Sequence, residues 1–296
     1  MRTMTEHTGP PGNLVQTAGQ LSAIVRLVRR DGKRIGFVPT MGALHEGHLS
    51  LVRASTGECD YTVVSIYVNP SQFGPGEDLQ EYPRTLQADR QALEACGVEL
   101  VFAPHSDEVY PAGYATWVEV GSVAEPLEGQ CRPGHFRGVA TIVLKLLNTV
   151  APDVAYFGQK DFQQALVVRR MVEDLNVPVA IRVCPTVREP DGLAMSSRNR
   201  YLSPQARKQA AVLWKSLCLA GRLVEQGQRD AESIAGEVRR LILSAGEARI
   251  DYVALADPET LQPVDRVDRA TLLALAVRIE DTHLIDNCLL EPPKAS

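Results

Sequence analysis

The sequence predicts an α/β fold: a parallel sheet covered by helices on both faces, followed by a smaller α+β domain. Three observations carry this. Short β-branched runs alternate with segments of helical period up to about Val187. The pattern then changes to two successive helices followed by strands. A chain of 296 residues, 45% hydrophobic and 23% charged, has the composition of a soluble globular protein, and at about 150 residues per domain it divides in two.

Leu21, Ile24, Val25, Leu27 and Val28 recur at a helical period over residues 20–30, and Asp31-Gly32 ends that helix. Residues 34–39 form a short apolar run closed by proline, and Leu44, Leu49, Leu51 and Val52 suit a helix opening near Gly47. Residues 61–68 are β-branched and stop at Asn69-Pro70; residues 98–102 repeat the pattern, with a helical segment over 83–96 between them. A helix over 138–150, a strand over 154–157, a helix over 162–175 and a strand over 177–183 follow. Such alternation predicts a parallel sheet covered by helices on both faces. Beyond it, residues 204–224 and 231–243 read as helices, and 249–255 and 271–280 as strands that pair antiparallel. Arg188-Glu189-Pro190-Asp191-Gly192 has the turn chemistry of a hinge or mobile loop. The expected division is a disordered tail over 1–13, a first domain over 14–187 and a C-terminal lid domain over 188–296.

Charge and cysteine content narrow the function. Lys and Arg number 31 against 36 Asp and Glu, so a net charge of -5 offers no global attraction to nucleic acid or to an anionic membrane. No apolar run reaches the roughly 18 to 20 residues that span a bilayer, and the polar N-terminus lacks the apolar stretch of a secretory signal. The 6 cysteines are widely spaced without a Cys-x-x-Cys pair, so reduced cytoplasmic thiols are expected rather than a zinc site or disulfide framework.

The most informative string is Pro39-Thr40-Met41-Gly42-Ala43-Leu44-His45-Glu46-Gly47-His48, where the first predicted strand turns into a helix. Ligands bind at such carboxyl ends of parallel strands. Two imidazoles spaced i, i+3 across a glycine at a helix N-terminus can both meet one anion, and the helix N–H groups favour negative charge. The other reading of this pair is capping or surface histidines; metal binding lacks a third ligand nearby.

Three strings together identify a resemblance. His45-x-Gly47-His48 looks like the HIGH signature of nucleotidylyltransferases and class I aminoacyl-tRNA synthetases. Extended to Pro39, and followed by Phe157-Gly158-Gln159-Lys160-Asp161-Phe162-Gln163-Gln164 and by Asp191-Gly192-Leu193-Ala194-Met195-Ser196-Ser197-Arg198-Asn199-Arg200-Tyr201-Leu202, it closely resembles the pantoate–β-alanine ligase family. Val68-Asn69-Pro70-Ser71-Gln72-Phe73-Gly74 and His283-Leu284-Ile285-Asp286-Asn287 match as well, so the resemblance runs over residues 14–290.

The resemblance implies a Rossmann-like first domain and a two-step ligation. The carboxylate of (R)-pantoate attacks the α-phosphorus of ATP to give pantoyl adenylate and pyrophosphate, and β-alanine then displaces AMP to give pantothenate. It implies Mg²⁺ with ATP, its ligands left open by the sequence, and a homodimer, for which a sheet edge around residues 61–68 would serve as contact. Residues 41–48 match the first ATP segment, with His48 as proton donor and His45 as its partner; a purely electrostatic role for His48 is the second reading. Gly158, Gln159, Lys160 and Asp161 match the second ATP segment. There the family commonly carries glutamate where this chain has Gln159, a departure that removes a charge. Lys160 is the implied phosphate contact, and Asp161 either caps the next helix or serves the nucleotide or metal side. Met195, Ser196, Ser197 and Arg198 match the family's counterpart of the KMSKS loop, although an isolated copy would read as a Ser-rich turn. Val187 matches an adenine contact. Gln72 and Gln164 match pantoate ligands, Gln72 also touching β-alanine; their amides suit a substrate with hydroxyls and a carboxylate. Arg132 and His135 lie in a loop similar to the pantoate-side loop, and Asp89 reads either as a Mg²⁺-side carboxylate or, more simply, as a solvated helix residue.

Two other functions share these features. A nucleotidylyltransferase acting on a phosphorylated small molecule carries the same HIGH-type string, and the contexts of Gln72 and Gln164 favour the ligase over it. A non-catalytic ATP sensor predicts erosion of His48, Lys160 or Arg198, and all three are present. A tRNA-charging role lacks any basic extension.

Overall fold

A computed structural model describes residues 14–293; the expected tail over 1–13 lies outside the described residues. In chain order the elements are β1 Leu14–Val15, α1 Ala18–Arg30, β2 Ile35–Thr40, α2 Glu46–Glu58, β3 Tyr61–Ile66, α3 Leu86–Ala95, β4 Leu100–Phe102, α4 Ser106–Val109, α5 Glu128–Cys131 and α6 His135–Val150. They continue with β5 Val154–Gly158, α7 Phe162–Asp174, β6 Ala180–Cys184, α8 Pro204–Ala210, α9 Val212–Glu225, α10 Ala231–Leu243, β7 Ala248–Ala256, β8 Thr271–Ile279 and β9 Thr282–Leu290.

The first sheet has six parallel strands in the order β1-β4-β3-β2-β5-β6. β2 to β5 read as apolar runs because both faces are covered, whereas β6 at the sheet edge leaves Ala180 and Arg182 exposed. Phe37, Val63, Leu100 and Ala155 point to a core with α1, α6 and α7, while their neighbours Val38, Val64, Val101 and Tyr156 point to a second core with α2 and α3. Residues 61–68 do not form a sheet edge, because β3 pairs with β2 on one side and β4 on the other. The chain leaves β2 toward β3 and β4, then returns to place β5 on the opposite side of β2. The strand order thus reverses between β2 and β5, and a crevice opens at their carboxyl ends.

The second sheet is antiparallel, in the order β7-β8-β9. One face packs on α9 and α10 through Leu213, Leu217, Ile234 and Val238, and Leu272 and Ala274 join the core of the first sheet. The helix expected over 204–224 is two helices, since the backbone at Ala211 ends α8 before α9 begins. The strand expected from residue 177 starts at Ala180, after a turn in which the Val177 N–H caps α7 on the Val172 carbonyl. The apolar pattern does not predict β9 as a strand: His283, Asp286 and Asn287 break it, and they are held inside by hydrogen bonds. No helix among the described residues is long and apolar enough to cross a membrane.

Gly138, in α6, sets a close approach. A Cβ there would lie 2.2 Å from the Ser71 carbonyl oxygen and 2.9 Å from the Gln72 nitrogen, both main-chain atoms that cannot rotate away. Asn69 Nδ2 donates to the Gly138 carbonyl at 3.2 Å, locking the 3-10 turn Pro70–Gln72 onto the helix. Gly138→Ala is therefore expected to destabilise the fold by about 1–3 kcal/mol, overpacking outweighing its better helix propensity. An unchanged urea midpoint would contradict this contact.

Candidate active site

The crevice is walled by the turns after β2, β5 and β6, with β9 and the first turn of α7 closing it. Met41, His45, Gly47, His48, Gln72, Gly158, Lys160, Asp161, Gln164, Val187, Met195, Ser196, Ser197 and Arg198 all line it. Gly42, Ala43, Leu44, Glu46 and Gln159 complete the same turns outside the lining, and the Glu46 carboxylate pairs with Arg53.

The turn after β2 is held in an uncommon backbone form. Gly42 and Ala43 both have positive φ, 86° and 50°. Thr40 Oγ1 donates to the Ser65 carbonyl at 2.7 Å and accepts from the Gly42 N–H at 3.2 Å. Asp89 clamps the next two peptides, accepting from the Ala43 N–H at 3.0 Å and the Leu44 N–H at 2.8 Å, while Thr85 Oγ1 donates to both its oxygens. The solvated reading of Asp89 does not hold: it is 3% exposed, a buried acceptor whose job is to hold this turn.

His45 is the N-cap of α2. Its Nδ1 accepts from the Gly47 N–H at 3.1 Å, and the His45 N–H donates to His48 Nδ1 at 3.4 Å. A Cβ on Gly47 would fall 2.9 Å from the His45 ring, so glycine is what lets the ring fold over the helix start. The two rings lie 4.1 Å apart. Backbone N–H groups can only donate, so both Nδ1 atoms are acceptors and each neutral ring carries its proton on Nε2. Capping and ligand binding are thus compatible: the cap uses Nδ1 and leaves an Nε2–H donor on each ring. Burial, then the Lys160 charge, lowers the His45 pKa from 6.5 to about 4; burial, then His45 itself, lowers that of His48 to about 3. Both rings are neutral in the protein without nucleotide.

Lys160 sits on the 3-10 turn Gln159–Asp161 between β5 and α7, its side chain 20% exposed and 3.4 Å from the Asp161 carboxylate. Asp161 precedes α7 but makes no side-chain capping bond, which removes one of its two readings. The main chain at Gln159 is engaged: its carbonyl accepts from Asn287 Nδ2 at 3.0 Å. Among the described residues no cluster of three or more His, Cys, Asp and Glu is gathered for a metal ion.

Residues 187–195 fold as a narrow hairpin, with the Met195 N–H donating to the Val187 carbonyl at 3.0 Å and Arg188 bridged to Ala194. Its end carries the turn Ser197–Tyr201, capped by Ser196 Oγ. The Arg198 guanidinium is bidentate to Asp78, at 3.0 and 2.9 Å. Ser197 Oγ meets the Tyr82 hydroxyl at 3.3 Å. Glu77, beside Asp78, takes two bonds from Arg132 at 2.9 and 2.6 Å. Sequence reasoning missed this acidic pair, since the only signal was two adjacent carboxylates in a Gly-rich loop.

Gln72 and Gln164 face the crevice, and among the described residues neither side-chain amide is spent on an internal hydrogen bond. Gln163, one residue away, is structural: its amide holds the Val123 and Pro126 carbonyls and the Glu128 N–H. Arg132 and His135 instead grip the main chain of Gln72, His135 Nδ1 donating to its carbonyl at 2.8 Å and Arg132 Nη2 at 3.3 Å. They position Gln72.

Residues 13–289 match the family model described as pantoate-beta-alanine ligase. The pantothenate synthetase of Moorella thermoacetica is 52% identical over 278 residues, covering 94% of this chain and 98% of that protein. The crystal structure of pantothenate synthetase from Thermus thermophilus superposes with a TM-score of 0.90 at 46% identity, covering 95% of this chain and 100% of the other. The pantoate-beta-alanine ligase of Francisella tularensis, solved with β-γ ATP and β-alanine, gives 0.78 at 35% identity, covering 94% and 98%.

Because His45 and His48 bind a proton less readily folded than unfolded, the folded state loses stability as pH falls below 6.5, down to about 4 for His45 and about 3 for His48. NMR titration of the nucleotide-free protein is expected to show both rings neutral, with the proton on Nε2, down to about pH 5. Midpoints near 6.5 would contradict the buried, capped geometry.

Proposed function

The chain belongs to the pantoate–β-alanine ligase family, and on that premise we propose how its crevice performs the ATP-dependent condensation of (R)-pantoate with β-alanine. The observation that carries the proposal is the convergence of three phosphate-suited groups, the His45/His48 turn, Lys160 and Arg198, on one crevice at the reversal between β2 and β5.

In the first step a pantoate carboxylate oxygen attacks the α-phosphorus of ATP, the bond to the bridging oxygen breaks, and pyrophosphate leaves. Both reactants are anions, so the site mainly has to align them and stabilise charge growing on phosphate. The Nε2–H donors of His45 and His48 hydrogen-bond the α-phosphate. In the nucleotide-free protein both rings are neutral, so His48 meets the incoming phosphate as an Nε2–H hydrogen-bond donor. Lys160 follows the charge onto the departing pyrophosphate, and Arg198, with Ser196 and Ser197, holds the outer phosphates after giving up or sharing Asp78. Val187 and Met195, paired across their hairpin, flank the adenine. Residues 41–48 and 158–161 supply the remaining ATP contacts. Gln72 and Gln164 bind the hydroxyls and carboxylate of pantoate, and Gln72 also meets β-alanine. In the second step the neutral amine of β-alanine attacks the acyl carbon, AMP departs with the bonding electron pair, and the amine loses a proton to give pantothenate.

Asp161 is suited to Mg²⁺ on the phosphates, because its carboxylate is 45% exposed and does not cap α7. Bound there, Mg²⁺ would neutralise phosphate charge. Residues 14–187 form the nucleotide- and pantoate-binding domain and 188–296 the lid in this reading. The protein acts as a homodimer in the cytoplasm; its 6 cysteines, all free, suit a reducing compartment. β3 offers no sheet edge for the dimer contact, since it is paired on both sides.

With ATP and Mg²⁺, pyrophosphate release is expected only when pantoate is added, and AMP and pantothenate only after β-alanine follows. Pantoate-independent release, or none with pantoate, would defeat the proposal. Gln164→Ala is expected to raise the KM for pantoate by about tenfold or more while leaving that for ATP within about twofold. Equal effects on both would remove Gln164 as a pantoate ligand.

A further inference from the structure

β9 brings a polar pair, Asp286 and Asn287, to the crevice, and the reaction steps described above leave both unused. They are 2% and 4% exposed, a depth at which polar groups require partners. Apart from Asn287 Oδ1, which has no partner among the described residues, their polar groups bond the two segments that carry the cationic groups of the site. Asn287 Nδ2 donates to the Gln159 carbonyl at 3.0 Å and to the Lys160 carbonyl at 2.8 Å. These carbonyls belong to the peptide units on either side of the Lys160 Cα. Peptide units are planar, so pinning both fixes φ and ψ of Lys160 and hence the direction in which its side chain departs. Carbonyls only accept, so only an NH₂ group fits facing the pair.

Asp286 acts on the neighbouring segment. Its carboxylate takes Arg188 Nη1 at 2.6 Å and Nη2 at 3.0 Å, and also accepts from the Asn287 N–H at 2.8 Å. Arg188 in turn donates to the Gly192 carbonyl across the hairpin and lies 4.0 Å from the Trp214 ring centroid. Two adjacent residues of one strand therefore register the turn after β5 against the hairpin after β6.

We propose that Asn287 is a positioning residue for adenylate formation, orienting Lys160 toward the phosphates through the two peptide units it holds. This rests on the reading of Lys160 as a phosphate contact. Asn287→Asp keeps the side-chain shape but turns an oxygen toward two carbonyl oxygens. The test measures pantoate-dependent pyrophosphate release for Asn287→Asp, Lys160→Ala and the double variant, each confirmed folded by its melting curve.

Asn287→Asp is expected to lower kcat by about tenfold or more with the KM for pantoate little changed, and to cost less than about twofold further in the Lys160→Ala background. Losses that multiply, or a folded Asn287→Asp enzyme with normal kcat, would overturn the positioning role. If Asn287→Asp does not fold, Asn287→Ala, which deletes both donors, replaces it in the same cycle. A wild-type enzyme inert toward pantoate would defeat the functional reading itself, whereas active wild type with multiplying losses defeats the positioning role alone.

Discussion

Parallel strands β2 and β5 lie side by side while the chain leaves them in opposite directions, and the crevice between their carboxyl ends exists because no crossover can cover it. Each of the two strands delivers a polar turn there: the Gly42-Ala43 turn with its histidine cap, and the Gln159–Asp161 turn with Lys160. Neither turn is stable on local grounds. The first needs a buried carboxylate from α3, and the second is held by an amide from β9. The second sheet therefore does more than roof the site, since it supplies part of the scaffold of the first.

The electrostatics follow from the same burial. Several cations gathered in one crevice repel one another, and the structure limits this in two ways. His45 and His48 stay neutral through burial. Arg132 and Arg198 are matched by Glu77 and Asp78 from the segment between β3 and α3. The Lys160–Asp161 pair has the longest separation of the three, 3.4 Å, and the most exposed carboxylate, which leaves Lys160 the cation most available to a new anion.

Strands β2 to β5 of the first sheet were legible because burial on both faces leaves apolar runs, as in residues 61–66, whereas the two-residue β1 carries no such run and was not read. The turns carrying His45, Lys160 and Arg198 were legible through long motif strings. β9 was not, because its inward polar residues bond to distant partners that a linear pattern does not show. Asp89 misled for the same reason: an acidic residue at an exposed-looking helical position is buried only because two N–H groups and a hydroxyl, 4 to 46 positions away, converge on it. Of two consecutive glutamines, Gln163 proves structural and Gln164 faces the crevice, a distinction that depends on the path of residues 123–128.

The crevice activates a carboxylate by joining it to the α-phosphorus of ATP, and everything else in the proposed reaction follows from that bond. Pantoate labelled with ¹⁸O in its carboxylate, turned over with ATP, Mg²⁺ and β-alanine, tests this most directly by mass analysis of the nucleotide product. One labelled oxygen is expected in the phosphate of AMP, because the attacking oxygen stays on phosphorus when the acyl carbon is transferred. Label in inorganic phosphate or pyrophosphate, with none in AMP, would place the attack on another phosphorus and contradict it.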